Sequence, residues 1–204
     1  MIGYDGRHNS KRFAQRASAV FNKLGFKVYL FSRPVSTPFV PFGIRRVKCA
    51  AGIVVTASHN PKEDNGVKVY LANGCQIISP HDAKIQKEID RNLKPWNDVW
   101  SLDNNQKSIC LLDQLAGEYM SLVKDLVIDR NLFAEDSLKD FRLTYTSLHG
   151  VGHPFVTMAF ESVGLREGIN VFPVEKQKEI DPNFSTVAFP NPGNKLIERP
   201  SAFQ

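Results

Sequence analysis

Ser58, His59 and Asn60 stand in a row where an apolar run breaks into turn formers, IVVTASHNPKEDNG (53–66), and Lys68 follows shortly after. A serine hydroxyl becomes a nucleophile only with a base in reach and with groups that stabilise the charge it transfers. His59 and Lys68 are candidate proton carriers, Asn60 a candidate substrate contact. Arg7, at the end of the strand-like segment IGYD, is a candidate ligand for anionic oxygen. Several cations around one hydroxyl suit a phosphoryl group better than an acyl group, because the charge to be stabilised is larger and spread over several oxygens. Spacing alone favours a plainer alternative: Ser, Asn and Pro are ordinary turn formers, and a simple turn would leave His59 exposed.

The elements that must position these residues read as an α/β pattern. AGIVVTA (51–57) is a continuous apolar strand of the kind buried on both faces of a parallel sheet, and its C-terminal loop is where open α/β sheets place ligands. Before it, residues 10–24 put Phe13, Ala17, Val20, Phe21 and Leu24 on one helical stripe, with Ser10 as N-cap and Gly25 as the stop. A short strand KVYLF (27–31) and a helix near 39–47 follow. After the polar loop come strand VKVYL (67–71), an Asn73-Gly74 turn into CQII, and a helix opened by Ser79 as cap with Pro80 at its first position.

Residues 95–112 read as a connection, and LAGEYMSLVKDLVIDRN (115–131) as an amphipathic helix. A fresh strand-turn-helix begins at about 138 with FRLTYTS, the loop LHGVGH and PFVTMAFESVG; residues 173–204 show no clear period. His149 and His153 flank the Gly150/Gly152 pair; two glycines are a poor phosphate signal, a structural role is favoured, and a zinc site lacks further ligands. No internal repeat is evident.

At 204 residues and 42% apolar content the chain can fill a packed core. No apolar stretch approaches the roughly twenty residues that cross a bilayer, and the start lacks a signal-like segment, so the expectation is a cytoplasmic protein with no membrane partner. Cys49, Cys75 and Cys110 are odd in number and lack CxxC spacing, which points to neither disulfides nor a thiolate zinc site. Among residues 1–48, ten Lys/Arg face one acid, Asp5, while the whole chain is only +5. Such asymmetry implies an anionic partner. A nucleic acid, a membrane surface and a phosphorylated small molecule are the candidate classes, and the lack of aromatic residues interleaved with the cations argues against nucleic acid.

TASHNP resembles the active-site serine motif of the α-D-phosphohexomutase superfamily, the phosphoglucomutases and phosphomannomutases. The longer GIVVTASHNPKEDNGVKVYLANGCQIISPHD is similar to the phosphopentomutase branch, which includes glucose-1,6-bisphosphate synthase. YDGRHNSKRFA, VYLFSRPVSTPFVPF, TSLHGVGHPFV and DPNFSTVAFPNP extend the likeness, in the family's order, over residues 2–192.

The resemblance implies a phosphohexomutase-type first domain with a mixed, mainly parallel sheet and flanking helices, plus an incomplete second α/β domain. The expected division is 1–105, a connecting helical segment 106–137, a partial second domain 138–192 and a divergent tail 193–204. It further implies that Ser58 carries a phosphoryl group, assisted by His59 and Lys68 and flanked by Arg7. Phosphate would move between C1 and C5 or C6 of a pentose or hexose phosphate through a sugar bisphosphate, with glucose 1,6-bisphosphate as donor. A Mg²⁺ ion is implied on the phosphoryl oxygen of Ser58, held mainly by a DxDxDR-type loop. No such run occurs in the sequence. The expectation is therefore a chain shortened at both ends, isomerase-like by family and catalytically inactive alone, with an anion-binding or interaction remnant as the alternative.

Overall fold

The computed structural model describes residues 1–96, 108–134 and 138–187. Strand β1 (Ile2–Tyr4) runs parallel to β2 (Ala51–Val55), which pairs antiparallel with β3 (Val67–Leu71). Beyond β1 the sheet continues as two isolated parallel bridges, Ile2 with Leu30 and Tyr29 with Ile109. The segment 27–31 is thus extended but not a strand, because its partners offer single bridges in place of a ladder. The sheet is mixed, with its parallel pairings on the β1 side.

Alternation along these strands decides what packs where. Ile2, Tyr4 and Val55 point to one face and meet Ala14 of α1 (Ser10–Lys23), with Val28 beside them. Those strand residues are bulky, so the helix brings small ones to the contact: Ser10, Ala14, Ser18 and Ala19 are its buried positions. Much of the expected stripe therefore faces outward, with Phe13 45% and Leu24 55% exposed, while Ala17 packs partly buried against this core. The stop at Gly25 does form: at φ 84°, Gly25 donates to Asn22 O and Phe26 to Phe21 O, while the Phe21 and Phe26 rings meet edge to face at 5.7 Å. Asn9, not Ser10, occupies the N-cap, in the left-handed region, because the Ser10 hydroxyl is spent on Asp5 Oδ1 at 2.6 Å.

On the opposite face lies α2 (Phe39–Arg46), brought close by glycines. A Cβ on Gly3 would stand 2.7 Å from Val40 Cγ2, and one on Gly52 2.6 Å from Ile44 Cδ1. Phe39, Val40, Ile44 and Val54 form the main core with Leu112, Leu115 and Met120 of α4 (Leu112–Asp125). Each buried side chain of this size contributes about 1.5–3 kcal/mol. Helix α4 begins and ends earlier than its apolar pattern predicts; Asp129 accepts from the Asn131 N–H and opens a separate 3-10 turn, Arg130–Phe133. Helix α3 (His81–Arg91) buries no residue, and its N-cap is Pro80, one residue later than expected.

A second, two-stranded parallel sheet joins β4 (Leu143–Tyr145) to β5 (Val171–Pro173) through α5 (His153–Ser162). Leu138, Leu165 and Val171 form its small core. Phe155 of α5 instead turns to the first unit and packs on Phe39 with ring centroids 4.4 Å apart. That contact sets the second unit against the first. Residues 173–187 are more ordered than their lack of period predicts: β5 leads into a 3-10 turn, Glu175–Gln177, and then into a hydrogen-bonded turn around Asp181. The expected tail 193–204 lies outside the described residues.

Candidate active site

Where β2 ends, Thr56 takes over the pairing: its N–H donates to Gly66 O at 2.9 Å and closes the neck of a loop. Its hydroxyl oxygen accepts the Ser58 N–H at 3.0 Å, and Asn60 N–H donates to Ala57 O. This tight turn leaves Ser58 at φ 57°, a left-handed conformation that costs of order 1–3 kcal/mol for a non-glycine residue. The result is an exposed hydroxyl just past the C-terminal end of a buried strand. His59 stands beside it, with Nδ1 3.4 Å from Ser58 Oγ, long for a hydrogen bond but within the reach of a base that tightens on its substrate.

The remaining candidates are placed differently. The Asn60 side chain donates to Asp64 Oδ2, within the loop. Lys68 sits on β3 opposite Val54, before the strand's end, and does not line the cavity next to Ser58. Arg7 does line it, yet its guanidinium faces the carbonyl oxygens of Ser58, Asn60, Pro61 and Asp64 and the carboxylate of Asp5.

That cavity, of about 360 Å³, lies between the two units. Asp5, Arg7, Thr56, Ser58 and His59 form one side, Ser147 to Val151 the other, and Asp181 and Phe184 close it. The second wall repeats the first: Thr146 Oγ1 accepts the Leu148 N–H at 3.0 Å, Leu148 has φ 49°, and a histidine follows. The echo was readable as T-x-x-H in TASH and TSLH, a repeat too short to register beside the diverging flanks. Its histidine is not free, however. His149 is buried, donates through Nδ1 to Glu179 O at 3.2 Å and accepts through Nε2 from the Thr186 hydroxyl at 2.8 Å. The Gly150 N–H is taken by Ser147 O at 2.8 Å, so it offers nothing to an anion.

Asp181 also escaped the sequence reading. Hydrogen bonds from the Ser185 hydroxyl, then from the Ser185 and Asn183 N–H groups, hold its carboxyl well below the ordinary range, at about 2. The Mg²⁺ ion implied by resemblance needs several carboxylates in one place. Among the described residues no group of three His, Cys, Asp or Glu could hold a metal. The two cavity carboxylates are already committed, Asp5 to Arg7 and Ser10, Asp181 to its own turn. These residues do not fit the ion, and no step below is routed through it.

The site thus belongs to an α/β protein whose serine loop, at a strand exit, faces a second α/β unit across a cavity. The chain belongs to the phosphoglucomutase/phosphomannomutase family: residues 1–95 match its alpha/beta/alpha domain I and residues 118–204 its alpha/beta/alpha domain II. It is 42% identical over 209 aligned positions to the glucose 1,6-bisphosphate synthase of Homo sapiens, covering 97% of this chain and 33% of the relative. The phosphoribomutase of Saccharomyces cerevisiae is 41% identical, with 96% and 33% covered. A crystal structure of a Thermus thermophilus protein assigned to the phosphomannomutases superposes with a TM-score of 0.71 at 29% identity, over 91% of this chain and 38% of that one. The chain spans about a third of the length of the curated relatives it matches.

Proposed function

We propose that this chain is the phosphoserine-bearing part of an intramolecular phosphotransferase acting on pentose or hexose phosphates. The observation that supports it best is the exposed Ser58 hydroxyl at the exit of β2, beside His59 and facing a cavity closed by the second unit. Ser58 Oγ bonds to phosphorus as the bond from phosphorus to the donor's sugar oxygen breaks; His59 takes the hydroxyl proton and passes it to the departing sugar oxygen. In the return direction a sugar hydroxyl attacks phosphoserine, its proton passes to the same base, and the base delivers it to Ser58 Oγ as the Oγ–phosphorus bond breaks. Reorientation of the bisphosphate would let phosphate pass between C1 and C5 or C6. Residues 1–105 and 138–192 form the two catalytic walls in this proposal, with 106–137 as the connection, in a cytoplasmic enzyme. Glucose 1,6-bisphosphate is the proposed donor.

A second reading, anion binding without turnover, is favoured by one observation: the described residues hold no metal-ligand set. Incubation with phosphoryl-labelled glucose 1,6-bisphosphate and Mg²⁺ separates the two. Label on Ser58 is expected, with no conversion of ribose 1-phosphate to ribose 5-phosphate by this chain alone. Absence of label from Ser58 sinks the phosphoserine proposal; robust turnover removes the second reading.

A further inference from the structure

We infer that Arg7 is a positioning residue for the Ser58 loop and does not itself bind phosphate. A guanidinium has five N–H donors and no more. Here Nε faces Asp5 Oδ2 at 3.3 Å, Nη1 donates to Pro61 O at 2.7 Å and, weakly, to Asp64 O at 3.4 Å, and Nη2 donates to Ser58 O at 2.9 Å and Asn60 O at 2.7 Å. Both Nη groups are fully engaged, and Nε lies against the Asp5 carboxylate as an ion pair. The Phe184 ring stands over the guanidinium carbon with its centroid 5.5 Å away, and the side chain is only 3% exposed. Neither an edge nor an open face is left for a phosphate oxygen.

The loop explains why an arginine is needed there. Residues 58–64 turn four carbonyl oxygens inward, while the loop's own backbone bonds are few: Asn60 to Ala57 and Asp64 to Pro61. Pro61 O also accepts from the Asp64 N–H; the other inward carbonyls, without Arg7, would cost about 1–3 kcal/mol each. One planar fork satisfies them together, which a lysine's single ammonium cannot do. Its grip on Ser58 O holds the residue that is in the left-handed region. Asp5 orients the fork in turn, through Nε and through the Arg7 N–H at 3.0 Å, and the Ser10 hydroxyl at 2.6 Å fixes Asp5 to the start of α1. A continuous chain of contacts therefore runs from the end of β1 to the nucleophile.

This inference rests on the proposed phosphoserine reading only for its kinetic consequence, so its test has one arm that needs no activity. Amide hydrogen exchange of residues 58–66 should rise in Arg7→Lys and Arg7→Ala alike while β1 and β2 stay protected; unchanged exchange in the loop overturns the inference. In the unmodified chain, inorganic phosphate should leave the Arg7 Nε–H resonance in place, and a saturable shift overturns it without any variant having to fold. With glucose 1,6-bisphosphate, Arg7→Lys should lower the maximal rate of Ser58 phosphorylation by about a hundredfold, the scale of a small misplacement of a reacting atom, with little change in half-saturating donor. A variant that keeps the rate and raises only the half-saturating concentration makes Arg7 a phosphate ligand. If wild-type Ser58 takes no label, the functional proposal fails while the exchange and resonance results still decide Arg7.

Discussion

The loops at 56–60 and 146–150 are built alike and end up with opposite roles. Both follow a strand, both use a threonine hydroxyl to accept the N–H two residues on, and both force a non-glycine residue to positive φ before a histidine. In the first, Ser58 and His59 are exposed, and the His59 N–H has no partner among the described residues. In the second, the His149 N–H donates to Gln177 O at 2.8 Å and its ring is locked between Glu179 and Thr186. Backbone strain is common to both, so strain does not mark the reactive loop. What differs is whether the chain fills its own turn: residues 177–187 return over the second loop, and nothing described covers the first in that way.

The largest effect expected from this contrast is loss of phosphoryl uptake in Ser58→Ala. The change removes an exposed hydroxyl, so the melting curve should stay within the roughly 0.5 kcal/mol typical of surface substitutions. Adding Leu148→Ser to that variant should restore nothing, because the second loop's histidine is already spent and its turn is closed. Mass spectrometry after incubation with the bisphosphate reads both results. Phosphate on the second loop of the double variant would falsify the claim that the closed turn disarms it.

Next in size is the pair of histidines. His149→Ala should cost about 1–3 kcal/mol in denaturant unfolding, since it removes a buried ring and its hydrogen bonds to Glu179 O and the Thr186 hydroxyl. His59→Ala, at an exposed position, should fall within about 0.5 kcal/mol while slowing transfer to Ser58. Equal stability costs for the two would erase the distinction between an architectural histidine and a working one.

Legibility in the sequence followed the same division. Strand β2, its polar exit and Ser58 could be read because an apolar run ending in turn formers is a local signal, and the family motif lay in that one stretch. The parallel pairing and the strand-turn-helix over residues 143–162 were readable for similar reasons. The α1 stripe was misread: periodicity shows that a helix has two faces but not that bulky Ile2, Tyr4 and Val55 demand the small one. Arg7's engagement was hidden because four of its acceptors are backbone carbonyls, which carry no sequence signature. His149 looked like a flank of a glycine loop because its partners, Glu179 and Thr186, are about thirty residues away or more.

The smallest expected effect concerns acid, and it should fall mainly on one of the two loops. Asp181 spans its turn, with Oδ1 accepting from Asn183 N–H at 2.8 Å and Oδ2 from Ser185 N–H at 3.0 Å. The turn presents Thr186 to His149 and Phe184 to Arg7. Donation from the Ser185 hydroxyl and these N–H groups lowers the carboxyl from 3.8 to about 2 in the folded chain. A depressed folded value means that the charged form is preferred in the fold. Its stabilisation is therefore complete above the unfolded value and lost as pH falls through about 2. Between about pH 4 and 2 the wild type should lose stability faster than Asp181→Asn, which has no proton to gain, and the difference should be small because the carboxylate is exposed to solvent. Amide exchange over the same range, corrected for its intrinsic pH dependence, should rise at 148–150 in the wild type and rise less at 56–60, which Asp181 reaches only through Phe184 and Arg7. Parallel pH profiles for the two proteins, or equal loosening of both loops, would show that the second turn is held shut by something other than this carboxylate.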